Sequence, residues 1–405
     1  MDTGRKHERL VVLGAGMAAV RLAEELGELC PGKFEIVLVG REPRLPYNRV
    51  LLSSVLAGES AVGDIELRPS DWYGAAGLHL IGGVEATALR PARREVVLST
   101  GARLAYDRLV LATGSEALRL PVPGQDLPGV TTFRDLADLE AMQSARPGSA
   151  AVVIGGGLLG VEAACGLAAR GLRVSLLHIM PRLMERQLDA RAAHLLKAAV
   201  ESKGIEVVLE ARTARIDGQA QAERVVLADG RAFPAELVVM AAGIRPNIAL
   251  AEAGGLVTGR GVKVDDALQT SWPGIFAIGE CAEHGGQCCG LVEPAYEQAR
   301  VLARRLAGLP ARYEASLPAA SLKVSGVPVF SIGDFEGDGA EAILLEDAGA
   351  ATYRKLVVRD GRLAGAVLFG DTADALWYRD LVAQRRPIAA MRAALAFGKA
   401  YAEAA

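Results

Sequence analysis

A glycine-rich turn between an apolar strand and a small-residue helix occurs twice in this chain of 405 residues. The first copy is LVVLGAGMAAVRLAEEL, beginning at Leu10, and the second is VVIGGGLLGVEAACGLAARGLRVSLLHIM, from Val152 to Met180. In such a turn the first glycine permits the sharp bend, the second lets a pyrophosphate approach the backbone, and a small third residue allows close helix–strand packing. These three positions are Gly14, Gly16 and Ala19 in the first copy and Gly155, Gly157 and Gly160 in the second. Two such turns predict two bound dinucleotides.

The composition favours close-packed α/β layers, because aromatic residues make up only 5% of the chain. A net charge of −3 argues against nucleic acid as a partner, and no apolar run of membrane-spanning length occurs. The basic start followed by an apolar run resembles a signal peptide, but the dinucleotide spacing within that run favours a folded strand. Five scattered cysteines, an odd number, predict reduced thiols and a cytoplasmic location.

Three further motifs each end an apolar strand. YDRLVLATGS contains Ala112-Thr113-Gly114, and ELVVMAAGIRPN contains Gly243. GIFAIGECAEH places Gly279 and Glu280 directly after its strand, where a carboxylate at a helix start can accept hydrogen bonds from a polyol. A helix-start charge stabilised by the helix dipole is an equally good interpretation of Glu280 alone.

The order of these motifs resembles the two-dinucleotide-binding flavoprotein superfamily over essentially the whole chain. That resemblance implies an α/β fold with two Rossmann-like domains, an FAD domain interrupted by an NAD(P)H domain, and a smaller α+β C-terminal domain. The implied bounds are 1–113 and 243–318 for the FAD domain, 114–242 for the NAD(P)H domain and 319–405 for the C-terminal domain. FAD is then expected on the first turn and at Gly279-Glu280, and NADH or NADPH on the second turn.

The branch of the superfamily is indicated by the segment VLVGREPRLPYNRVLLSSVLAGES, which lacks the redox cysteine of the disulfide reductases. PYNR resembles rubredoxin and ferredoxin reductases. RVLLSS and LKVSGVPVFSIGDF resemble more closely the flavoprotein portion of NAD(P)H nitrite reductase large subunits and the electron-transfer subunit of assimilatory nitrate reductase. The chain has no C-x-x-C pair and no metal-ligand spacing, so no metal site is predicted and the expected partner is a separate iron–sulfur acceptor protein.

Hydride transfer from nicotinamide to flavin needs no protein acid or base at the reacting carbon, so positioning residues are expected instead of a catalytic triad. The resemblance places Glu162, on the first turn of the second nucleotide helix, beside the nicotinamide as the catalytic candidate. It places Asn48 and Arg49 on the flavin side. A helix-start charge is the plain alternative for Glu162, and surface polarity is the alternative for the other two.

An acidic residue at the end of each unit's second strand normally binds the adenosine ribose. In the FAD unit the relatives place it where Arg41 stands, and Glu42 is the candidate one residue later. In the second unit His178 stands where an NADH-preferring relative has glutamate. We therefore expect relaxed nucleotide choice, with a protonated His178 favouring NADPH.

Other functions stay open at this point. A rubredoxin or ferredoxin reductase of another pathway uses the same motifs, whereas an NADH oxidase would need a flavin-side cysteine. A flavoprotein that senses NADH by changing its oligomeric state is a non-enzymatic alternative, and the chain is expected to be a monomer or homodimer. A basic face for docking the acceptor is predicted between Asp374 and Lys399. Its cations are Arg379, Arg385, Arg386, Arg392 and Lys399.

Overall fold

The computed structural model describes residues 7–315, 319–322 and 326–404. The chain forms two compact units. The first unit consists of Met1–Leu51, Ala61–Glu116 and Ile244–Ser316, and the second of Leu52–Ser60, Ala117–Gly243 and Leu317–Ala405. The domain bounds drawn from the sequence stay a prediction.

Strands outnumber α-helices in the described part of the chain. The helices are α1 (Met17–Leu29), α2 (Leu52–Leu56), α3 (Ser70–Ala75), α4 (Leu136–Gln143), α5 (Leu158–Ala169), α6 (Ala190–Glu201), α7 (Ala249–Ala253), α8 (Val292–Ala307), α9 (Ala375–Gln384) and α10 (Lys399–Ala402). The strands of the first 240 residues are β1 (Glu8–Leu13), β2 (Phe34–Val39), β3 (Leu78–Ile81), β4 (Ala86–Arg90), β5 (Glu95–Leu98), β6 (Arg103–Ala105), β7 (Arg108–Leu111), β8 (Ser115–Ala117), β9 (Val130–Thr132), β10 (Ala150–Ile154), β11 (Arg173–Leu177), β12 (Glu206–Val208), β13 (Thr213–Asp217), β14 (Arg224–Leu227), β15 (Ala232–Pro234) and β16 (Leu237–Met240). The later strands are β17 (Ile244–Pro246), β18 (Val262–Val264), β19 (Ile275–Ala277), β20 (Ala282–His284), β21 (Gln287–Cys288), β22 (Ala319–Leu322), β23 (Val329–Gly333), β24 (Glu341–Asp347), β25 (Thr352–Arg359) and β26 (Arg362–Phe369).

The first unit is built on a parallel sheet of order β19-β7-β1-β2-β3. The last four residues of its central strand β1, Leu10–Leu13, are apolar and buried, as expected of a parallel strand covered on two sides. Helix α1 packs against α8 on one face. The antiparallel sheet β4-β5-β6 also belongs to this unit.

The second unit repeats the same plan. Its parallel sheet has the order β12-β11-β10-β16-β9, and an antiparallel sheet, β13-β14-β15, lies along the chain between the parallel strands β12 and β16, as β4-β5-β6 lies between β3 and β7 in the first unit. The strand before each glycine turn pairs with two neighbours, so Leu13 of β1 lies beside Val39 and Leu111, and Ile154 of β10 lies beside Leu177 and Met240. Hence the duplication seen in the glycine turns extends through a whole sheet.

The C-terminal part of the second unit is an antiparallel sheet of order β22-β23-β26-β25-β24 with α9 packed on it. Its core contains Phe330, Leu356, Leu368 and the fully buried Tyr378. The predicted fold class, two Rossmann-like domains with an α+β C-terminal domain, is confirmed. Within the described ranges no helix has both the length and the apolar character needed to cross a membrane.

Candidate dinucleotide-binding sites

The first glycine turn (Gly14–Ala19) is shaped by the end of a neighbouring strand. Gly14 has φ +109°, and a Cβ there would lie 2.0 Å from the carbonyl oxygen of Ala112, directly after β7. Ala19 is fully buried where the helix meets the sheet. Both the left-handed backbone and the close approach therefore require glycine at position 14.

Gly16 directly precedes α1, and its surroundings differ from those of Gly14. It lies outside the helix with φ −86°, and no side chain caps the helix. A Cβ on Gly16 would have no heavy atom within 4 Å, and the first turn of α1 has no acidic residue. The open space and the uncapped N–H groups fit the pyrophosphate of a dinucleotide.

Thr113 and Asn247, both in the first unit, are joined by two hydrogen bonds. The hydroxyl of Thr113 donates to the carbonyl of Asn247 at 3.1 Å, and the amide of Asn247 donates to the carbonyl of Thr113 at 2.9 Å. The hydroxyl of Ser115, directly after Gly114, donates to the carboxylate of Glu280 at 2.8 Å. The unit thus brings together residues that are more than 130 positions apart in sequence.

Gly279 lies against the start of α1. Its φ is +77°, and a Cβ there would lie 3.3 Å from that of Ala18. Its N–H donates to the side-chain oxygen of Gln298 at 2.7 Å. Gln298 is only 3% exposed on α8 and was not among the predicted residues, because a glutamine inside a helix carries no sequence signal. Glu280 lies in a single 3-10 turn, Gly279–Cys281, which is followed by β20.

Glu42, the candidate for binding the FAD ribose, contacts Arg49, a candidate for the flavin side. The carboxylate of Glu42 accepts a hydrogen bond from the hydroxyl of Tyr47 at 2.7 Å and forms an ion pair with Arg49. The Arg49 guanidinium also lies 5.1 Å from the ring centre of Tyr47. The side-chain oxygen of Asn48 accepts from the N–H of Val50 at 3.1 Å. Arg41, the other residue considered, forms an exposed ion pair with Glu116.

The second glycine turn (Gly155–Gly160) has the same backbone. Gly155 has φ +124°, and a Cβ there would lie 2.2 Å from the carbonyl oxygen of Ala241, directly after β16. Gly157 precedes α5 without a side-chain cap and with open space around it. A Cβ on Gly160 would lie 1.8 Å from the carbonyl oxygen of Gly155. Gly243, with φ +120°, follows β16 as Gly114 follows β7, and accepts a hydrogen bond from the N–H of Leu118.

Glu162 is buried, at 7% exposure. It is the fifth residue of α5, one turn further in than the sequence suggested, since the helix begins directly after Gly157. Burial raises the pKa of its carboxyl from 4.5 to about 7, and a hydrogen bond from Ser53 opposes that rise. Ser53 lies on α2, part of the short segment that belongs to the second unit.

His178 is also buried, and both of its ring nitrogens have partners. Nδ1 accepts a hydrogen bond from the N–H of Gly156 at 2.9 Å, and Nε2 lies 3.0 Å from a carboxylate oxygen of Glu185. The sequence predicts that a protonated His178 favours NADPH, which requires the ring to face the ribose. The structure instead places it between the glycine turn and a carboxylate that the sequence pattern did not indicate.

In the described ranges no group of three or more His, Cys, Asp and Glu side chains is placed to hold a metal ion. The five cysteines are free thiols. Cys281 is fully buried beside the strand-end motifs, burial raises the pKa of its thiol, and its sulfur donates to the carbonyl of Leu111.

Comparison with known proteins gives consistent matches. Residues 8–301 match the family of pyridine nucleotide-disulphide oxidoreductases, and residues 318–386 match the C-terminal domain of rubredoxin NAD+ reductase. The assimilatory nitrate reductase electron transfer subunit of Bacillus subtilis (strain 168) is 44% identical over 95% of this chain and 50% of its own length. Nitrite reductase [NAD(P)H] of the same organism is 45% identical over 91% of this chain and 46% of its own length.

Solved structures agree with these matches. The structure of a covalent putidaredoxin reductase–putidaredoxin complex has a TM-score of 0.87 and 27% sequence identity, covering 95% of both chains.

This chain spans about half the length of the two Bacillus subtilis relatives. The matches confirm the predicted family and the predicted enzyme class, an oxidoreductase. They also confirm FAD as the cofactor and NAD(P)H as the nucleotide.

Proposed function

Because this chain belongs to the family of pyridine nucleotide-disulphide oxidoreductases, we propose that it is an FAD-dependent NAD(P)H dehydrogenase that delivers electrons to a separate iron–sulfur protein. The observation that carries the proposal is the presence of two glycine turns with the same backbone, each opening on an uncapped helix. One turn serves a resident flavin and the other a nucleotide that comes and goes.

The first unit supplies the groups that would hold FAD. The N–H groups at the start of α1 bind the pyrophosphate beside Gly16, and Glu280, oriented by Ser115, accepts hydrogen bonds from the polyol chain. The carbonyl of Ala112 adjoins Gly14 in this turn, and Thr113 and Gly114 are both hydrogen-bonded to Asn247. Bound FAD supplies the ability to take two electrons from a nicotinamide and release them one at a time.

The second unit supplies the nucleotide site. The start of α5 binds the second pyrophosphate beside Gly157. Glu162 lies beside the nicotinamide in this proposal, as a neutral or ionised carboxyl depending on pH, because burial brings its pKa to about 7. No step of the hydride transfer needs a proton from it, so its role is to position the ring.

The proposal of a separate acceptor protein rests on the state of Cys281 and on the similarity to known proteins. Cys281 is buried as a thiol and bonded to a backbone carbonyl, which argues against a flavin–thiol relay. Similarity to the electron transfer subunit and to nitrite reductase supports a role in nitrate or nitrite assimilation. A rubredoxin or ferredoxin reductase of another pathway is the second candidate, favoured by the match to the rubredoxin reductase C-terminal domain. The free thiols support a cytoplasmic location.

The docking face expected near the C-terminus is narrower than its five cations suggested. Arg379 pairs with Asp380, Arg392 with Glu341, and Lys399 with Glu403. Among residues 326–404, the remaining exposed cations of that face, Arg385 and Arg386, make no ion pair. We therefore place the attraction for an acidic acceptor on these two side chains.

The test reverses those two charges. Arg385→Glu with Arg386→Glu should slow reduction of an acidic ferredoxin about tenfold at low salt and less at 0.5 M salt, because salt screens the attraction. Reduction of a neutral dye by NADH should not change. The matched control is Arg304→Glu with Arg305→Glu, two adjacent exposed arginines at the end of α8. Equal slowing of carrier and dye, or equal slowing in the control, would contradict the docking role.

A further inference from the structure

Glu185 places a carboxylate next to the second glycine turn, although it lies seven residues beyond His178. Its Oε2 is 3.0 Å from Nε2 of His178, whose Nδ1 accepts the N–H of Gly156 at 2.9 Å. Since Nδ1 is the acceptor, the ring proton lies on Nε2 and is donated to Glu185. A chain of hydrogen bonds therefore runs from the turn, through the imidazole, to the carboxylate.

The imidazole in this chain has little freedom to move. A Cβ on Gly156 would lie 2.6 Å from the His178 ring and 2.6 Å from a methyl group of Leu183, so the ring and the turn are packed together. The N–H of Met184 donates to the carbonyl of Gly156 at 2.8 Å. Both backbone groups of Gly156 are thus bonded to the segment that ends at Glu185. This fixes the carboxylate relative to the turn.

The position of the carboxylate suits the adenosine ribose of a dinucleotide. A pyrophosphate at the start of α5 puts that ribose over the carboxyl ends of β10 and β11, where an acidic residue ordinarily accepts its hydroxyls. His178 directly follows β11 and is buried, whereas the Glu185 side chain is 23% exposed. One carboxylate oxygen faces the imidazole, and the carboxylate keeps acceptor capacity for a ribose hydroxyl.

Two arginines near Glu185 could bind a 2′-phosphate and so favour NADPH over NADH. Whether they do depends on their ion pairs and exposure. Arg182 is already paired with Glu336. Arg186 is 86% exposed in its side chain, and its Nε lies 3.9 Å from the other oxygen of Glu185. An arginine that is this exposed to solvent binds an anion weakly, whereas the carboxylate is held in place by the packed imidazole.

We propose that Glu185, oriented by His178, selects NADH over NADPH by accepting the ribose hydroxyls and repelling a 2′-phosphate. The inference rests on the proposed function, because it takes the second turn to bind a nicotinamide nucleotide. Glu185 is the binding residue and His178 a positioning residue.

The test compares two ligands that differ only at the 2′ position. ADP-ribose and 2′-phospho-ADP-ribose are titrated into the FAD-loaded protein by calorimetry, which requires no turnover. The wild type should prefer ADP-ribose, and Glu185→Gln should reduce that preference about tenfold or more, equivalent to roughly 1.4 kcal/mol. The control Glu201→Gln removes the same charge at the far end of α6 and should leave the preference unchanged.

A second variant separates orientation from charge. His178→Asn keeps an acceptor for the N–H of Gly156 but cannot reach Glu185, so it should lower the preference by a smaller factor, while FAD content stays unchanged. An unchanged preference in Glu185→Gln, with ADP-ribose still bound, overturns this inference alone. Failure of the wild type to bind either ligand would overturn the proposed function as well.

Discussion

The two glycine turns share a backbone and differ in the side chains packed around it. In both, the first glycine has a positive φ and presses against the carbonyl that follows a neighbouring parallel strand, β7 or β16. In both, the second glycine faces open space at a helix start without a cap. These shared features are therefore conformational requirements of the strand–turn–helix unit, and they do not distinguish a flavin nucleotide from a nicotinamide nucleotide.

The differences lie where the turn meets the second strand. Gly14 bonds to the carbonyl of Val39 as Gly155 bonds to that of Leu177, which makes Gly40 equivalent to His178. In the first turn the larger residue is in the turn, because Ala15 packs on Gly40. In the second the order is reversed, and His178 packs on Gly156. The larger side chain thus lies in the turn of the first unit and after the second strand of the turn in the second unit, so only the second turn has an imidazole packed against it.

The helix positions differ as well. Arg21 and Glu162 are each the fifth residue of their helices. Arg21 is partly exposed and pairs with Glu24 and Glu25, whereas Glu162 is buried and bonded to Ser53. One scaffold therefore carries an ordinary surface ion pair in one copy and a carboxyl with a shifted pKa in the other.

The largest expected effect separates the two ligands. Gly16→Val should give colourless protein, with FAD affinity reduced about a thousandfold or more, roughly 4 kcal/mol, because the added methyl groups occupy the pyrophosphate's place. Gly157→Val should remain yellow but should not be bleached by NADH. Flavin absorbance per chain and anaerobic reduction measure the two outcomes. Full FAD occupancy in Gly16→Val, or a colourless Gly157→Val, would mean that the ligands are assigned to the wrong turns.

The third position of the turns provides a stability contrast. Gly160→Ala places a Cβ 1.8 Å from the carbonyl oxygen of Gly155, so the turn must shift, and we expect a loss of about 3 kcal/mol or more in unfolding free energy. Ala19→Gly removes one buried methyl group and adds a flexible residue, which costs about 1 kcal/mol. Urea unfolding of the FAD-loaded variants measures both. Similar losses would show that the two turns pack alike at this position.

The smallest effects are changes in stability at the fifth residue of each helix, Glu162 in α5 and Arg21 in α1. Because burial raises the pKa of Glu162 to about 7, the folded protein binds more protons than the unfolded chain between pH 4.5 and about 7. The unfolding free energy should therefore fall as pH rises through this window, by at most about 3 kcal/mol. Glu162→Gln should remove that slope. Arg21→Gln should change stability by less than about 1 kcal/mol at every pH, since its ion pairs are partly exposed. Parallel pH profiles of wild type and Glu162→Gln would contradict the burial argument.

The sequence predicts what depends on local backbone geometry. The glycines at 14 and 155 were identifiable because a positive φ and a close carbonyl exclude other residues. Gln298 and Glu185 were not identifiable, because Gln298 contacts Gly279 from α8 and Glu185 contacts His178 from the segment after β11, and no motif in their own neighbourhood marks either contact. The carboxyl of Glu162 contacts Ser53 of α2, a helix distant in sequence, so the raised pKa of this carboxyl could not be predicted from the sequence motif either.

The short segment Leu52–Ser60 has a consequence for exchanging parts between relatives. It belongs to the second unit although its neighbours on both sides in sequence belong to the first. Leu56 packs so closely on α5 that a Cβ on Gly166 would lie 2.9 Å from it. A chimaera that receives only the contiguous nucleotide-binding stretch from a relative would carry the host's α2 against a foreign α5. A swap of nucleotide preference between two such proteins therefore has to transplant both stretches, as two separate insertions, for the helices to fit.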